Sequence, residues 1–317
     1  MLSLVIPVYR NEGSIPDLIA ALEELRHERG EAFEVVFVVD GSPDRSLALL
    51  QEALPGAGFR SQLLCLSRNF GSFAAVRAGL TAGSGDTFAV MAADLQEPPE
   101  LILSFREALA SGQYDVAVGC RDARSDPFLD RLFSSAFWRL YRALVQREVP
   151  SGGVDVFACT RRFRDEILAL NESNSTLVGL IFWLGFRRAE IRYGRRPRKH
   201  GRSAWSFRRK FRYLLDSCFA FSDLPIRLLS VVGLTGILLS LAFGALVVFG
   251  RVTGRIEVPG YAATVLTVMF FGGLNSLGIG ILGEYIWRTF ENTKRRPGYV
   301  VFSRTEFSGR SVGHDCS

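Results

Sequence analysis

Two runs of uncharged, mostly apolar residues, Leu228 to Gly250 and Val258 to Gly283, limit what this chain can fold into more than any other feature. They are 23 and 26 residues long. A hydrocarbon layer of about 30 Å is crossed by about 20 helical residues. Core helices of water-soluble proteins are seldom so long and uncharged on every side. The runs therefore predict a transmembrane hairpin, joined by the short polar segment Arg251 to Glu257. The residues before it must fold in water against a membrane.

The basic flanks predict the orientation. Nine Lys and Arg fall between Arg195 and Arg212, and Arg288, Lys294, Arg295 and Arg296 follow the second run. The hairpin loop holds only Arg251 and Arg255. Basic flanks stay in the cytoplasm, so the N-terminal part and both termini are expected there. Glycines in and beside the runs, such as Gly236 and Gly278, allow close helix packing. The stretch Trp205 to Phe221 mixes Arg and Lys with Trp, Phe, Tyr and Leu, which suits a helix lying in the headgroup layer. A basic patch also suits nucleic acid, but here it abuts the spans, so no nucleic-acid partner is expected.

Composition narrows the class further. The chain has 317 residues, 48 % hydrophobic, with a formal charge of +6. It can bury a sizeable core, which excludes disordered and collagen-like chains. The five cysteines (Cys65, Cys120, Cys159, Cys218 and Cys316) are scattered and form no CxxC pair. A disulfide framework or structural zinc site is not expected, and a reducing compartment is. The opening MLSLVIPVYRNEG has no basic n-region and reads as a strand, not a signal peptide.

The first 195 residues alternate short apolar runs with helical spacing. Strands are predicted at Leu2 to Pro7, Phe33 to Val39, Gln62 to Leu66, Phe88 to Ala92 and Tyr114 to Gly119. Helices are predicted at Ser14 to Arg29, Ser46 to Leu54, Phe73 to Ala82 and Pro98 to Ser111. Continuous apolar strands between helices indicate a mostly parallel sheet covered on both faces. Ligands bind beyond the carboxyl ends of such strands, and two of those ends carry acids, Asp40 and Asp94. A lone acid there is equally well a helix cap. Asp94 lies in a rarer context, followed by Leu95, Gln96, Glu97, Pro98 and Pro99. GxxxxGK[ST] does not occur, and the GxGxxG match at Gly278 to Gly283 lies inside the second apolar run and not at a strand-to-helix turn, which argues against P-loop and hydride-transfer enzymes.

VIPVYRNE (Val5 to Glu12), VDGSPD (Val39 to Asp44), SRNFGSFAAVRAG (Ser67 to Gly79) and ADLQEPPE (Ala93 to Glu100) resemble the motifs of family 2 glycosyltransferases. GCR (Gly119 to Arg121), GGVDVF (Gly152 to Phe157), HGRSAWSFRRKF (His200 to Phe211) and GEYIWRTFENTKRRPGYVV follow in order. That order narrows the resemblance to the polyprenyl-phosphate glycosyltransferases, over about Leu2 to Val301. It implies an α/β GT-A nucleotide-sugar-binding domain at residues 1–197. Interfacial amphipathic helices at 198–223, two transmembrane helices at 224–288 and a cytoplasmic tail at 289–317 are expected to follow. The implied activity is inverting transfer of one sugar from a UDP- or GDP-sugar to a polyprenyl phosphate, with undecaprenyl phosphate as the expected acceptor. The implied place is the bacterial inner membrane, with Mg2+ or Mn2+ as cofactor and a tetramer as the family's precedent.

The resemblance also implies site residues. Pro7, Tyr9, Glu12 and Asp40 border the nucleoside, where a ring can stack on a base and a carboxylate can accept its N–H. Asp94 and Gln96 hold the metal, a hard cation that wants oxygen ligands. Asp155 takes the position usually assigned as base. Arg121, Arg131 and Ser135 hold the acceptor phosphate, and Arg198 and Arg202 clamp the donor diphosphate. The chain departs from the family pattern at Ala92, where an acid commonly begins D-x-D, and at Val39, where a second acid commonly precedes Asp40. Those losses keep a non-catalytic scaffold or flippase partner in play. A processive polysaccharide synthase is also weighed, but its QxxRW motif is absent.

Overall fold

A computed structural model describes residues 1–29, 33–121, 139, 141–142, 148–150, 154, 156–172, 174–197, 207–253 and 260–309. Among them, eight strands make one sheet: β1 (Leu2–Val8), β2 (Phe33–Val39), β3 (Arg60–Leu66), β4 (Thr87–Val90), β5 (Val116–Arg121), β6 (Val156–Thr160), β7 (Arg188–Tyr193) and β8 (Val301–Phe307). The spatial order is β7-β5-β6-β4-β1-β2-β3-β8. β1 pairs in parallel with β2 and β4, and β2 pairs in parallel with β3. β6 runs antiparallel between β4 and β5. The expected mostly parallel α/β sheet is therefore present.

Alternation along each strand splits the core into two layers. Leu4, Ile6 and Val8 of β1 face one layer with Val35, Phe37 and Val39 of β2. Helices α1 (Ile15–Arg29), α2 (Ser46–Ala53) and α4 (Glu100–Ala110) cover it. Val5, Val36 and Val38 face the other, covered by α3 (Ser72–Ala82), α5 (Arg161–Ala169) and α6 (Leu177–Trp183). Helix α3 lies very close to the sheet at Gly79, where a Cβ would come within 2.2 Å of Val5.

Beyond the sheet come α7 (Phe207–Phe221), α8 (Leu224–Val252) and α9 (Tyr261–Thr293). Helices α8 and α9 contain stretches long and apolar enough to cross a membrane, with 0 % and 6 % of those stretches buried. Gly236 faces Phe271 and Gly278 faces Leu229 across the pair. Helix α9 outlasts the expected span by ten residues, and this extension forms a joint. Arg288 donates to Asp216 of α7 (2.7 Å) and to Glu284 (2.8 Å). It also reaches the carbonyl of Asn174 (3.4 Å) in the α/β domain and lies 5.1 Å from the Phe219 ring. Helix α7 is no free-floating element, since Leu214 and Cys218 are buried in the second core layer and Tyr213 stacks on Tyr141. A groove of about 410 Å3 between α7 and α9, lined by Leu215, Ile281 and Glu284 among others, belongs to this joint and not to the carboxyl edge of the sheet.

The segment expected as a tail returns to the domain. β8 pairs antiparallel with β3, Ser67 N–H donates to Val300 O (3.0 Å), and Tyr299 donates to Thr81 (3.1 Å).

At the end of the sheet away from the strand carboxyl termini, Glu34 is fully buried. It accepts hydrogen bonds from Ser3 Oγ (2.5 Å), Ser84 N and Ser84 Oγ (2.9 Å). Burial pushes this carboxyl up, but the hydrogen bonds outweigh it and hold it below its ordinary 4.5. A carboxyl lowered on folding adds stability above its unfolded pKa and loses it as pH falls through the folded value. Glu34→Gln is therefore expected to cost about 1–3 kcal/mol at pH 7. The deficit should shrink below pH 4.5 in unfolding curves measured across pH.

Candidate active site

The chain runs from β1 outward through β2 and β3, then returns to place β4 on the other side of β1. Such a reversal opens a crevice at the carboxyl ends of the strands. Asp40 follows β2, Asp94 follows β4, and Arg121 closes β5, which is parallel to β4 through the shared antiparallel β6. All three lie on one edge. β6 begins there at Val156, and β7 ends there at Tyr193.

The loops after β1 and β2 are stitched together. Arg10 N donates to Ser42 Oγ (2.8 Å), Asn11 N to Ser46 Oγ (3.1 Å) and Glu12 N to Asp44 Oδ2 (3.1 Å). In return Arg45 N donates to Glu12 Oε2 (3.0 Å). Burial raises the Asp44 carboxyl, but hydrogen bonds from Ser42, Ser46 and Glu12 leave it below the usual carboxylate range. Sequence reasoning gave Glu12 to the nucleoside and missed Asp44, Ser42 and Ser46. Their only local signal is the Ser-Pro-Asp turn. Tyr9, just beyond the end of β1, is exposed, with the Arg10 guanidinium 5.5 Å from its ring. Pro7 lies in β1 opposite Val38.

Asp40 points inward. It is 2 % exposed, and its carboxylate accepts from Phe70 N (2.7 Å) and Gly71 N (2.8 Å), the two residues before α3. A carboxylate at a helix N-terminus is favoured by orphan N–H groups and by the helix dipole. The next residue must be Gly: Gly41 has φ +56°, and a Cβ there would sit 2.4 Å from the Arg68 carbonyl carbon. The drawn partners thus make Asp40 the anchor of the 68–71 loop, the capping alternative weighed above.

Asp94 is half-buried and accepts from Gln96 N (3.3 Å). Between them Leu95 takes φ +53°, a left-handed conformation that costs a branched side chain about 1 kcal/mol or more. Gln96 is turned toward the segment after β7. Its main-chain O accepts from Arg196 N (2.8 Å), its Oε1 from Arg195 Nη2, and its Nε2 donates to Arg196 O (3.4 Å). Arg196 also pairs with Glu100 (3.2 Å). No sequence signal joins residues about a hundred positions apart, so Arg195 and Arg196 were counted only as basic flank. Asp155, Arg131, Ser135, Arg198 and Arg202 lie outside the described residues.

One carboxylate is a sparse metal site, and among the described residues no group of three His, Cys, Asp or Glu could hold an ion. The donor set still fits Mg2+ or Mn2+ of the kind bound by one or two carboxylates together with substrate phosphates and water.

Residues 3–170 match the family described as glycosyl transferase family 2. This chain belongs to that family. The family 2 chain is 35 % identical over 307 residues to the undecaprenyl-phosphate 4-deoxy-4-formamido-L-arabinose transferase of Pseudomonas paraeruginosa, covering 95 % of this chain and 89 % of that one. It is 29 % identical over 300 residues to the prophage bactoprenol glucosyl transferase homolog of Escherichia coli, with 95 % and 98 % covered. Among solved structures it resembles the mannosyltransferase PcManGT of Pyrobaculum calidifontis, in complex with GDP-Man and Mn2+, at TM-score 0.46 and 15 % identity, with 90 % and 87 % covered. The α/β domain is of GT-A type, and the two apolar helices follow it in the order expected.

Asp40→Ala removes the acceptor of two backbone N–H groups in a closed site. It is expected to cost about 2–3 kcal/mol of stability, seen as a lower Tm. Asp40→Asn, which keeps one acceptor oxygen, should recover part of it.

Proposed function

We propose that this glycosyltransferase moves a single sugar from a UDP- or GDP-sugar to a polyprenyl phosphate, undecaprenyl phosphate being our choice. The configuration at the anomeric carbon inverts. The observation that carries the reading is the tie between a polar site and an apolar anchor: the domain bearing Asp94 and Arg121 is joined through Arg288 and α7 to two helices of membrane-crossing length. A water-soluble donor and a lipid-borne acceptor meet only at such a border. The names of the relatives support the acceptor class. The basic flanks support a cytoplasmic face on the bacterial inner membrane, with the helices passing twice.

In this reading the exposed Tyr9 ring stacks on the base, and Glu12 and Asp40 hold the loops that frame it. Asp94 shares the donor diphosphate's Mg2+ or Mn2+, which supplies neutralisation of the charge that gathers on the leaving nucleoside diphosphate. Arg121 offers a permanently charged planar fork to the acceptor phosphate. An acceptor phosphate oxygen forms the new bond to the anomeric carbon as the bond to the β-phosphate oxygen breaks. The electron pair leaves with the nucleoside diphosphate. A phosphate monoester has a second pKa of ~6, so the acceptor is largely dianionic at neutral pH. Asp155 then orients the acceptor or takes a residual proton; it is not required to generate the nucleophile. Arg131, Ser135, Arg198 and Arg202 complete the phosphate contacts in this proposal.

The scaffold reading rests on Ala92 and Val39, which leave the metal site one carboxylate poorer than the family pattern. A panel of UDP- and GDP-sugars, given with polyprenyl phosphate and Mg2+ or Mn2+ to the protein in detergent, separates the two. Nucleotide release that needs the lipid and one donor is expected. Asp94→Asn should slow it at least about a hundredfold, because several kcal/mol of charge stabilisation are lost. Unchanged sugar-lipid formation by Asp94→Asn would refute the metal assignment, and no release by folded protein with any donor would favour the scaffold.

A further inference from the structure

Gln96 has two carbonyl oxygens, and each accepts a hydrogen bond from the strap at residues 194–197. One accepts from Arg196 N at 2.8 Å, the other from the Arg195 guanidinium. Its amide nitrogen reaches Arg196 O at 3.4 Å, so the whole amide group faces the strap. Gln96 is 9 % exposed, which leaves little room for other partners. Arg196 closes the contact through both oxygens of Glu100, on the first turn of α4 (3.2 and 3.3 Å). The left-handed Leu95 turns Gln96 away from the strand direction, so Asp94 and Gln96 do not follow the simple alternation that would aim both at one ion. The Arg195 Nε is buried with no partner among the described residues, so the guanidinium is held by the Gln96 amide.

We propose that Gln96 and Arg195 form a latch, and that Gln96 is a positioning residue and not a metal ligand in this chain. The latch fixes the strap, which runs from β7 toward α7, onto the loop that carries Asp94. It ties the segment that follows β7 to the loop that follows β4, and Asp94 alone supplies the loop's metal ligand. This rests on the reading of Asp94 as the metal-bearing residue, but the latch itself is a contact within the protein. Coupling of this kind is reciprocal: whatever orders one partner favours the other.

The test uses full-length protein in nanodiscs and two readouts. In hydrogen exchange, peptides spanning 194–197 should exchange about tenfold faster in Gln96→Ala and Arg195→Met, the cost of one lost charge-assisted contact, and should be unaltered in Asp94→Asn. Arg195→Lys should restore part of the protection. In Mn2+ titration with a nucleoside diphosphate, read by electron paramagnetic resonance, Gln96→Ala and Arg195→Met should bind within about twofold of wild type, whereas Asp94→Asn should lose binding. Loss of Mn2+ in Gln96→Ala to the extent seen in Asp94→Asn would overturn the proposal, as would unchanged exchange of the strap. Failure of the wild-type protein to bind Mn2+ with any nucleoside diphosphate would instead overturn the proposed function. The exchange measurement would still decide the latch.

Discussion

The guanidinium of Arg288 holds the two halves of this molecule in register. It joins α9 to α7 through Asp216 and reaches the α/β domain at Asn174. The pair with Asp216 is mostly shielded on the arginine side, at 12 % exposure, where a charge needs several acceptors to be tolerated. Around it, aromatic rings and backbone carbonyls supply them. A loose linker would leave the α/β domain free to move against the two apolar helices, and these contacts prevent that. Arg288, Tyr213 on Tyr141, and the buried Leu214 and Cys218 turn the passage between domain and membrane into packed structure.

Much of this was legible in the chain. Apolar runs of the right length announced α8 and α9, and alternating strand and helix signals announced the sheet, because burial on both faces leaves continuous apolar strands. Within the α/β domain the predicted elements stop at β5, so β6, β7, α5 and α6 escaped, as did β8 and the far end of α9. β8 is exposed along almost its whole length, so it carries no apolar signal, and backbone pairing with β3 decides its place. The far end of α9 escaped because charged residues there read as the end of a span, although a helix can continue into water.

The site was legible by type more than by partner. Acids at the ends of β2 and β4 marked the edge correctly, but the sequence could not tell an inward carboxylate from an outward one. Asp40 turns to the N–H groups before α3, and Gln96 turns to a strap about a hundred residues away. Asp40 and Gln96 thus hold loops of this edge together. The stitching of the first two loops through Asp44 and Glu12 keeps the exposed Tyr9 ring on a rigid base.

The return of β8 to β3 also orders events during synthesis. β3 is made early, and its outer edge has no partner until residues some 240 positions later are made and both apolar helices have left the ribosome. An open strand edge is a template for pairing with other chains. The last strand thus seals the outer edge of the sheet only after both apolar helices have been made.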